Sequence, residues 1–179
     1  IDFHEKVLKY NRVSYLVPRK LDLALTDDLK QAGQKLIEDF SDNNPQWGWK
    51  EPRTTLLLDF WKSSLPELKL FGVYRHPVEV VDSLLRRERK KLTITREKYS
   101  TGDFLNERVR SSQLNLKRWR TYIRVWRTYN QCLIDFQQKY PEDTIIFNPV
   151  SLLDVSGEVI RYLNTTWGFT LEPVSLSTV

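Results

Sequence analysis

Hydrophobic residues recur at helical spacing in several separate stretches of the chain. Thr26-Asp27-Asp28 predicts a helix start, because a hydroxyl side chain caps the first turn and two acids face the positive end of the helix dipole. Apolar residues then follow three or four positions apart, which predicts one buried helix face. These residues are Leu29, Ala32, Leu36 and Phe40.

Five further stretches show the same periodicity. Four of them predict helices over residues 2–10, 54–64, from Pro77 onwards and 155–167, and the longest predicts one helix from Asp103 to Lys139. We expect the apolar positions of this long helix to face the core. They are Leu105, Val109, Leu116, Trp119, Ile123, Trp126, Leu133 and Phe136.

Two short apolar runs, Leu70–Tyr74 and Thr144–Phe147, predict buried β-strands. Pro77 follows the first run and suits the first position of a helix, where its missing N–H would have no partner. The alternation of helices with short strands indicates an α/β fold with a mostly parallel central sheet flanked by helices. The chain of 179 residues fits a single domain over residues 1–179, without a linker or repeat.

Composition narrows the classes of function. A net charge of +5 favours anionic ligands. Cys132 is the only cysteine, and His4 and His76 are the only histidines, which excludes an intrachain disulfide and argues against a metal site. The sequence has no apolar run of membrane-spanning length and no secretory signal, so we expect a cytoplasmic location.

Arg75 and Ser83 are the first candidate ligand-binding residues. Arg75 follows an apolar strand, where α/β proteins bind ligands, and Ser83 comes eight residues later on the predicted helix. A guanidinium and a hydroxyl together suit a phosphate group. Spacing alone leaves a second interpretation open, in which Arg75 pairs with a nearby carboxylate and Ser83 is simply exposed.

A family resemblance favours the first interpretation. Arg75-His76-Pro77, with Ser83 after it, resembles the 3′-phosphate-binding motif of sulfotransferases that use 3′-phosphoadenosine 5′-phosphosulfate (PAPS). The segment 47–54, Trp-Gly-Trp-Lys-Glu-Pro-Arg-Thr, resembles a Lys-acid-Pro segment that precedes this strand in bacterial-type and tyrosyl-protein sulfotransferases. Trp126-x-x-Tyr129-Asn130, a strand and segment 148–153 then follow in the family's order, although segment 148–153 lacks the family's acidic residues.

The resemblance implies a fold, a cofactor and site residues. The fold would be three-layered and similar to P-loop NTPases, and the cofactor would be PAPS, which leaves as adenosine 3′,5′-bisphosphate (PAP). Arg75 and Ser83 would hold its 3′-phosphate. Arg53 would help to hold an anion; in the alternative it pairs with Glu51 or Asp59. Lys50 would stabilise charge on the transferring sulfuryl group; the alternative is a surface lysine.

Sulfuryl transfer to a hydroxyl or amine also requires a base. Glu5 and His4 are the two candidates, because this region would follow the family's phosphosulfate loop. Either could instead be a polar residue on an exposed helix face. The acceptor would be a small molecule, a carbohydrate or a peptide, and the sequence does not choose between them or give the oligomeric state.

One family element is missing from the sequence. The loop that binds the 5′-phosphosulfate resembles Gly-x-x-Arg-Ser-Gly-Thr, and the glycines of this chain do not supply that spacing. The chain also contains no methionine. We therefore expect the first strand and its loop to precede Ile1 in a longer protein that is an active sulfotransferase, while this chain alone is inactive.

Three alternatives stay open. A nucleoside or nucleotide kinase would share the architecture but would need a glycine-rich phosphate loop upstream and Mg²⁺. A basic module could bind nucleic acid or another polyanion through a stripe on the long helix. Trp119 and Trp126 fall on the apolar face of that helix, so we expect them in the core and not as platforms for base stacking, and the sulfotransferase interpretation expects no nucleic acid partner. The chain could also be an inactive relative. The stripe consists of Lys117, Arg120, Arg124 and Arg127.

Overall fold

The computed structural model describes residues 2–16, 19, 22–42, 44–96, 106–149 and 156–172. Within these ranges the chain forms six α-helices and two β-strands. Two 3₁₀ segments, Pro52–Leu57 and Pro141–Asp143, precede the third helix and the second strand. In chain order the elements are α1 (Phe3–Tyr10), α2 (Asp27–Ser41), α3 (Leu58–Ser64), β1 (Leu70–Val73), α4 (Pro77–Arg96), α5 (Asn106–Lys139), β2 (Thr144–Phe147) and α6 (Ser156–Trp167).

Local signals explain where several helices begin. The Thr26 hydroxyl accepts a hydrogen bond of 3.3 Å from the Leu29 N–H, which confirms the predicted cap of α2. Asp2 caps α1 in the same way, because its carboxylate accepts the His4 N–H at 3.0 Å. α4 begins at Pro77, as predicted.

The helix expected over residues 54–64 is divided into two pieces. A 3₁₀ turn occupies Pro52–Leu57, and the α-helical hydrogen bonding of α3 begins only at Leu58. Glu51 caps the 3₁₀ turn, because its side chain accepts the Arg53 N–H at 3.0 Å. A cap followed by proline therefore starts a helical segment earlier and more tightly than the apolar periodicity indicates.

β1 and β2 pair in parallel, so the chain is α/β with a parallel sheet, as predicted. The register runs from Leu70 opposite Thr144 to Val73 opposite Phe147. This two-stranded sheet is the only one among the described residues. Gly72 is buried on the face that α5 covers, where a Cβ atom would lie 3.7 Å from the side chain of Leu133.

Two clusters of buried side chains form the described core. The first joins α1 to the 3₁₀ turn and α3 through Phe3, Val7, Leu57 and Trp61. The second joins α3 to α5 through Leu58, Leu133 and Phe136. Leu57 and Leu58 are neighbours in the chain but belong to different clusters. The start of α3 therefore holds the N-terminal helices against α5.

The predicted buried face of α5 is wrong in its first half. Leu116 and Trp119 are 54% and 40% exposed, and Trp126 is half-buried; Tyr122 and Val125 are buried instead. The buried line is displaced by one residue, which is about 100° around a helix. Leu105 and the side chain of Val109 lie outside the described residues. Leu133 and Phe136 are buried as predicted.

The predicted buried face of α2 holds only in its first turns. Leu29 and Ala32 pack on the first cluster, but Leu36 and Phe40 are 36% and 48% exposed. In the later turns Ile37 packs on the first cluster in place of Leu36, and the exposed Phe40 ring stacks on Trp47 at 5.4 Å. Among the described residues, no helix is both long and apolar enough to cross a membrane.

Candidate functional site

Arg75 lies at the carboxyl end of the parallel sheet. Val73 and Phe147 end the two strands side by side, and the Tyr74 N–H extends the ladder by one bond of 2.9 Å to the carbonyl of Phe147. The Trp126 indole on α5 donates to the Arg75 carbonyl at 2.9 Å. The backbone of Arg75 is therefore fixed between the sheet and α5, directly before α4 begins.

The side chain of Arg75 is exposed and paired with Glu79. Its Nε and Nη2 atoms donate to Glu79 Oε2 at 3.3 and 3.1 Å. Both side chains are about half exposed, at 54% and 53%, and exposed pairs of this kind contribute little to stability. Ser83 is half-buried one turn beyond Glu79 on α4. Glu79 is thus the carboxylate that the alternative interpretation of Arg75 requires.

His4 is buried in a hydrogen-bonded cluster between α1 and the 3₁₀ turn. Its Nδ1 lies 3.2 Å from Asp2 Oδ1, and its Nε2 lies 3.1 Å from Thr54 Oγ1. The Trp49 indole donates to the same Thr54 oxygen at 2.8 Å, which leaves the Thr54 proton for His4 Nε2. We therefore assign the proton of neutral His4 to Nδ1, where it is donated to Asp2.

Arg53 is held by two carboxylates beside this cluster. Its Nε donates to Glu51 Oε1 at 2.8 Å and its Nη2 donates to Glu51 Oε2 at 2.9 Å, a bidentate arrangement. Nη2 also donates to Asp2 Oδ2. The guanidinium is one-quarter exposed. An incoming anion would have to displace carboxylates that already fill the guanidinium fork.

The cluster contains more carboxylates than cations, and their hydrogen bonds and burial shift the pKa values of its residues. The hydrogen bonds from Arg53 lower the pKa of Glu51 to about 2, and Glu51 in turn raises the pKa of Arg53. Burial lowers the pKa of His4, against the opposing effect of Asp2, so His4 is neutral at pH 7. Glu5 also acts on Arg53 by its charge. The Arg53 guanidinium is therefore already neutralised and does not itself offer a site for a further anion.

α5 connects the strand end to the His4 cluster. Tyr129 lies one helical turn after Trp126, and its hydroxyl donates to the Tyr15 carbonyl at 2.7 Å. Burial raises the pKa of Tyr129, while the nearby charge of Arg53 acts in the opposite direction. One turn of α5 therefore contacts Arg75 through Trp126 and lies within electrostatic range of Arg53 through Tyr129.

The structure locates the remaining predicted residues. Lys50 is exposed, directly after Trp49, and Glu5 is exposed on α1 next to His4. Of the six predicted site residues, His4 and Arg53 share the cluster around Asp2, and Glu5 acts on that cluster by its charge. Arg75 and Ser83 lie along the first turns of α4, away from these bonds.

Sequence reasoning missed Asp2, Thr54 and Glu79. Glu79 had a readable signal, because an arginine and an acid four residues apart form a helical pair. Asp2 had a weaker signal as a helix cap. Thr54 had none, since its contact with His4 joins residues about fifty positions apart. In the described ranges, no group of three or more His, Cys, Asp or Glu side chains could hold a metal ion.

No protein-family model, no curated protein and no solved structure matches this chain. The described residues themselves define its class: an α/β unit with an exposed arginine at the carboxyl end of parallel strands, directly before a long helix.

Proposed function

We propose that this chain is a single sulfotransferase-like domain that binds the 3′-phosphate of PAPS and contributes to sulfuryl transfer to a hydroxyl or amine acceptor. Arg75 and Ser83 hold the 3′-phosphate. The proposed fold is the three-layered, P-loop-NTPase-like arrangement of that family. The proposal keeps the small-molecule, carbohydrate and peptide acceptors open.

One observation carries the proposal: the position of Arg75 between the ends of two parallel strands and the first turn of α4. A phosphate at this point would meet a guanidinium and the positive end of a helix of 20 residues. Ser83 lies on the same helix and can add a hydroxyl donor. The pairing with Glu79 competes with the phosphate only weakly, because an exposed ion pair contributes at most about 1 kcal/mol.

Lys50 and Glu5 complete the proposed chemistry. Lys50 is exposed, and its ammonium can approach a sulfuryl group and stabilise the developing charge. We assign the base to Glu5 in preference to His4, because both ring nitrogens of His4 already have partners. Arg53 then has a supporting role, since it ties Asp2 to Glu51 beneath α1.

Calorimetric titration with PAP tests the proposal. We expect Arg75→Ala to weaken binding by about 10- to 100-fold, because a charge-assisted hydrogen bond to phosphate contributes roughly 1.5–3 kcal/mol. Arg86→Ala is a matched control. Arg86 is also an exposed arginine of this region that pairs with an acid four residues away, Asp82, at 3.0 Å.

Two results would overturn the assignment. The first is no detectable binding of PAP to the protein. The second is equal loss of affinity in Arg75→Ala and Arg86→Ala, which would indicate attraction by general positive charge only. Ser83→Ala should weaken binding less than Arg75→Ala, since a neutral donor contributes less than a charged one.

A second candidate function is binding of a polyanion along α5. The four residues of the basic stripe are all exposed, and Trp119, on a neighbouring face of the same helix, is 40% exposed. An exposed tryptophan beside a row of cations can offer a nucleic acid base a surface on which to stack.

Salt dependence separates the two candidates. Polyanion binding would weaken steeply between 50 and 200 mM salt, by roughly 100-fold for four phosphate contacts, and would not change in Arg75→Ala. Arg120→Ala combined with Arg124→Ala would abolish most of it. Binding of PAP that is unaffected by this double substitution would favour the sulfotransferase.

A further inference from the structure

A concave site lies beside the 3₁₀ turn, away from the hydrogen bonds that Arg75 and His4 make. It is a cavity of about 580 Å³ between the segment around Leu25, the start of α3 and the last turns of α5. This volume falls in the range of small-molecule sites. None of the residues assigned to sulfuryl transfer lines this cavity.

The floor of the cavity is apolar because it lies where the two core clusters meet. Leu57, of the first cluster, and Leu58 and Phe136, of the second, all line it. Leu25 covers the floor from the segment before α2. A ligand there would bury hydrocarbon against side chains that the fold already holds in place, at roughly 25 cal/mol for each Å² removed from water.

The charged side chains around the cavity are mainly acidic. Among the described residues that line it, the charged ones are three aspartates, Asp22, Asp59 and Asp135, and one lysine, Lys139. Lys139 donates to Asp59 at 2.7 Å, so the cation of the cavity already has an acidic neighbour. The whole protein has a net charge of +5, whereas the described charged residues that line this cavity are net negative. This local sign opposes anionic ligands and favours cations.

We propose that this cavity binds an amphipathic cation, a molecule with a hydrocarbon body and an amine or quaternary ammonium head. The body lies on Leu25, Leu58 and Phe136. The head lies at the polar rim near Asp22 and Asp135, where it remains partly hydrated. The charge of the rim distinguishes such a ligand from a fatty acid with the same hydrocarbon body.

Cys132 provides a direct measurement, because it lines the cavity and is the only cysteine of the chain. Its rate of alkylation by N-ethylmaleimide would be followed by mass spectrometry, with the melting temperature measured in parallel. Octyltrimethylammonium is the probe. We expect it to slow alkylation at least fivefold in a saturable way and to raise the melting temperature. Octanoate and tetramethylammonium, at the same concentration, should do neither.

Substitution of the rim tests the charge. Asp135→Asn and Asp22→Asn should each weaken the apparent affinity for octyltrimethylammonium about three- to tenfold. Asp42→Asn is the matched control, an exposed aspartate at the end of α2 outside the cavity, and should leave it unchanged. Equal protection by octanoate would overturn the proposed ligand class. No protection together with no rise in melting temperature would overturn the site, while PAP binding would be unaffected.

Discussion

At the scale of single residues, Arg53 and Arg75 show how partners decide what an arginine can do. Arg53 is three-quarters covered and donates to two carboxylates, Glu51 and Asp2. Arg75 is half exposed and donates to Glu79 alone among the hydrogen bonds described for it. Arg53 thus has a structural role, whereas Arg75 can exchange its partner for a ligand.

Glu79→Gln should raise the affinity for PAP about two- to fivefold, because the exposed pair with Arg75 contributes at most about 1 kcal/mol and competes with the phosphate. Titration calorimetry at low salt measures the change. Asp82→Asn, which removes the partner of Arg86, is the control and should have no effect. A loss of affinity in Glu79→Gln would mean that Glu79 orients Arg75 for the ligand.

Glu51→Gln should lower the free energy of unfolding by about 1–2 kcal/mol at pH 7. Arg53 depresses the pKa of Glu51 to about 2 from an ordinary value near 4.5, so this stabilisation is complete above pH 4.5 and is lost as the pH falls towards 2. Urea unfolding at pH 7, 4 and 2.5 measures it. The difference from wild type should shrink over that series, and the exposed control Glu67→Gln should show little difference at any pH.

At the scale of elements, close approach at Gly33 determines how α2 docks. A Cβ atom at this position would lie 2.6 Å from Cζ of Phe60 and 3.3 Å from Cζ of Phe3. Phe60 cannot turn aside freely, because its ring stacks on Phe3 at 5.8 Å and contacts Trp61. The glycine lets the helix approach the aromatic residues of the first cluster directly.

Gly33→Ala should therefore destabilise the protein although alanine favours helix formation. Overpacking costs about 1–3 kcal/mol, against a gain of about 1 kcal/mol in helix propensity. Gly157→Ala in α6 is the matched control, since nothing lies within 4 Å of its added methyl group. That control should be stabilising by up to about 1 kcal/mol. Thermal unfolding of both variants would show shifts in opposite directions, and a stable Gly33→Ala protein would mean that the Phe60 ring moves.

The starts of α2 and α4 and the positions of both strands could be predicted from the sequence, but burial could not be predicted throughout. The expectation that both strands are buried is wrong for β1, where Phe71 and Val73 are 38% and 47% exposed, and helix faces were predicted only in part. Thr26 and Pro77 act on residues close to them in the chain, so the helix starts they produce can be recognised from the local sequence. Whether Leu116 or Tyr122 of α5 is buried depends on where α4 packs against it. The spacing of apolar residues carries no information about that packing. The same distinction applies to the candidate site. The position of Arg75 could be predicted because it directly follows a strand, whereas the contact between His4 and Thr54 could be seen only in the folded structure.

At the scale of the whole molecule, a buried charge cluster ties α3 to the start of β2. The Lys62 ammonium, with 9% of its side chain exposed, donates to Asp143 Oδ2 at 2.7 Å and to the Leu68 carbonyl at 3.1 Å. Lys69 donates to the other Asp143 oxygen. These two lysines lower the pKa of Asp143. One carboxylate thus holds together segments that are distant in sequence.

Asp143→Asn should lower the free energy of unfolding by about 2–4 kcal/mol, because it leaves the buried Lys62 ammonium without its carboxylate. Asp59→Asn is a close control. Asp59 also pairs with a lysine, Lys139, at 2.7 Å between α3 and the end of α5, but both side chains are more than half exposed. Urea unfolding at pH 7 should separate the two. Equal destabilisation would mean that burial does not set the strength of these pairs.

The register of β1 and β2 also has a consequence for the time course of folding. Leu70 and Thr144 are partners although all of α4 and α5 lies between them in the chain. A sheet of this kind cannot form until the intervening chain has closed into a loop, and such non-local pairing slows folding. We expect the α4–α5 hairpin to form first and to bring the strands together.

Val81→Ala tests this order, because Val81 is fully buried on α4. Stopped-flow measurements should show slower refolding with little change in the unfolding rate. The opposite result, faster unfolding alone, would mean that the strands find each other before the helices pack. In either case the Arg75 site is assembled late, since it requires the sheet, α4 and Trp126 together.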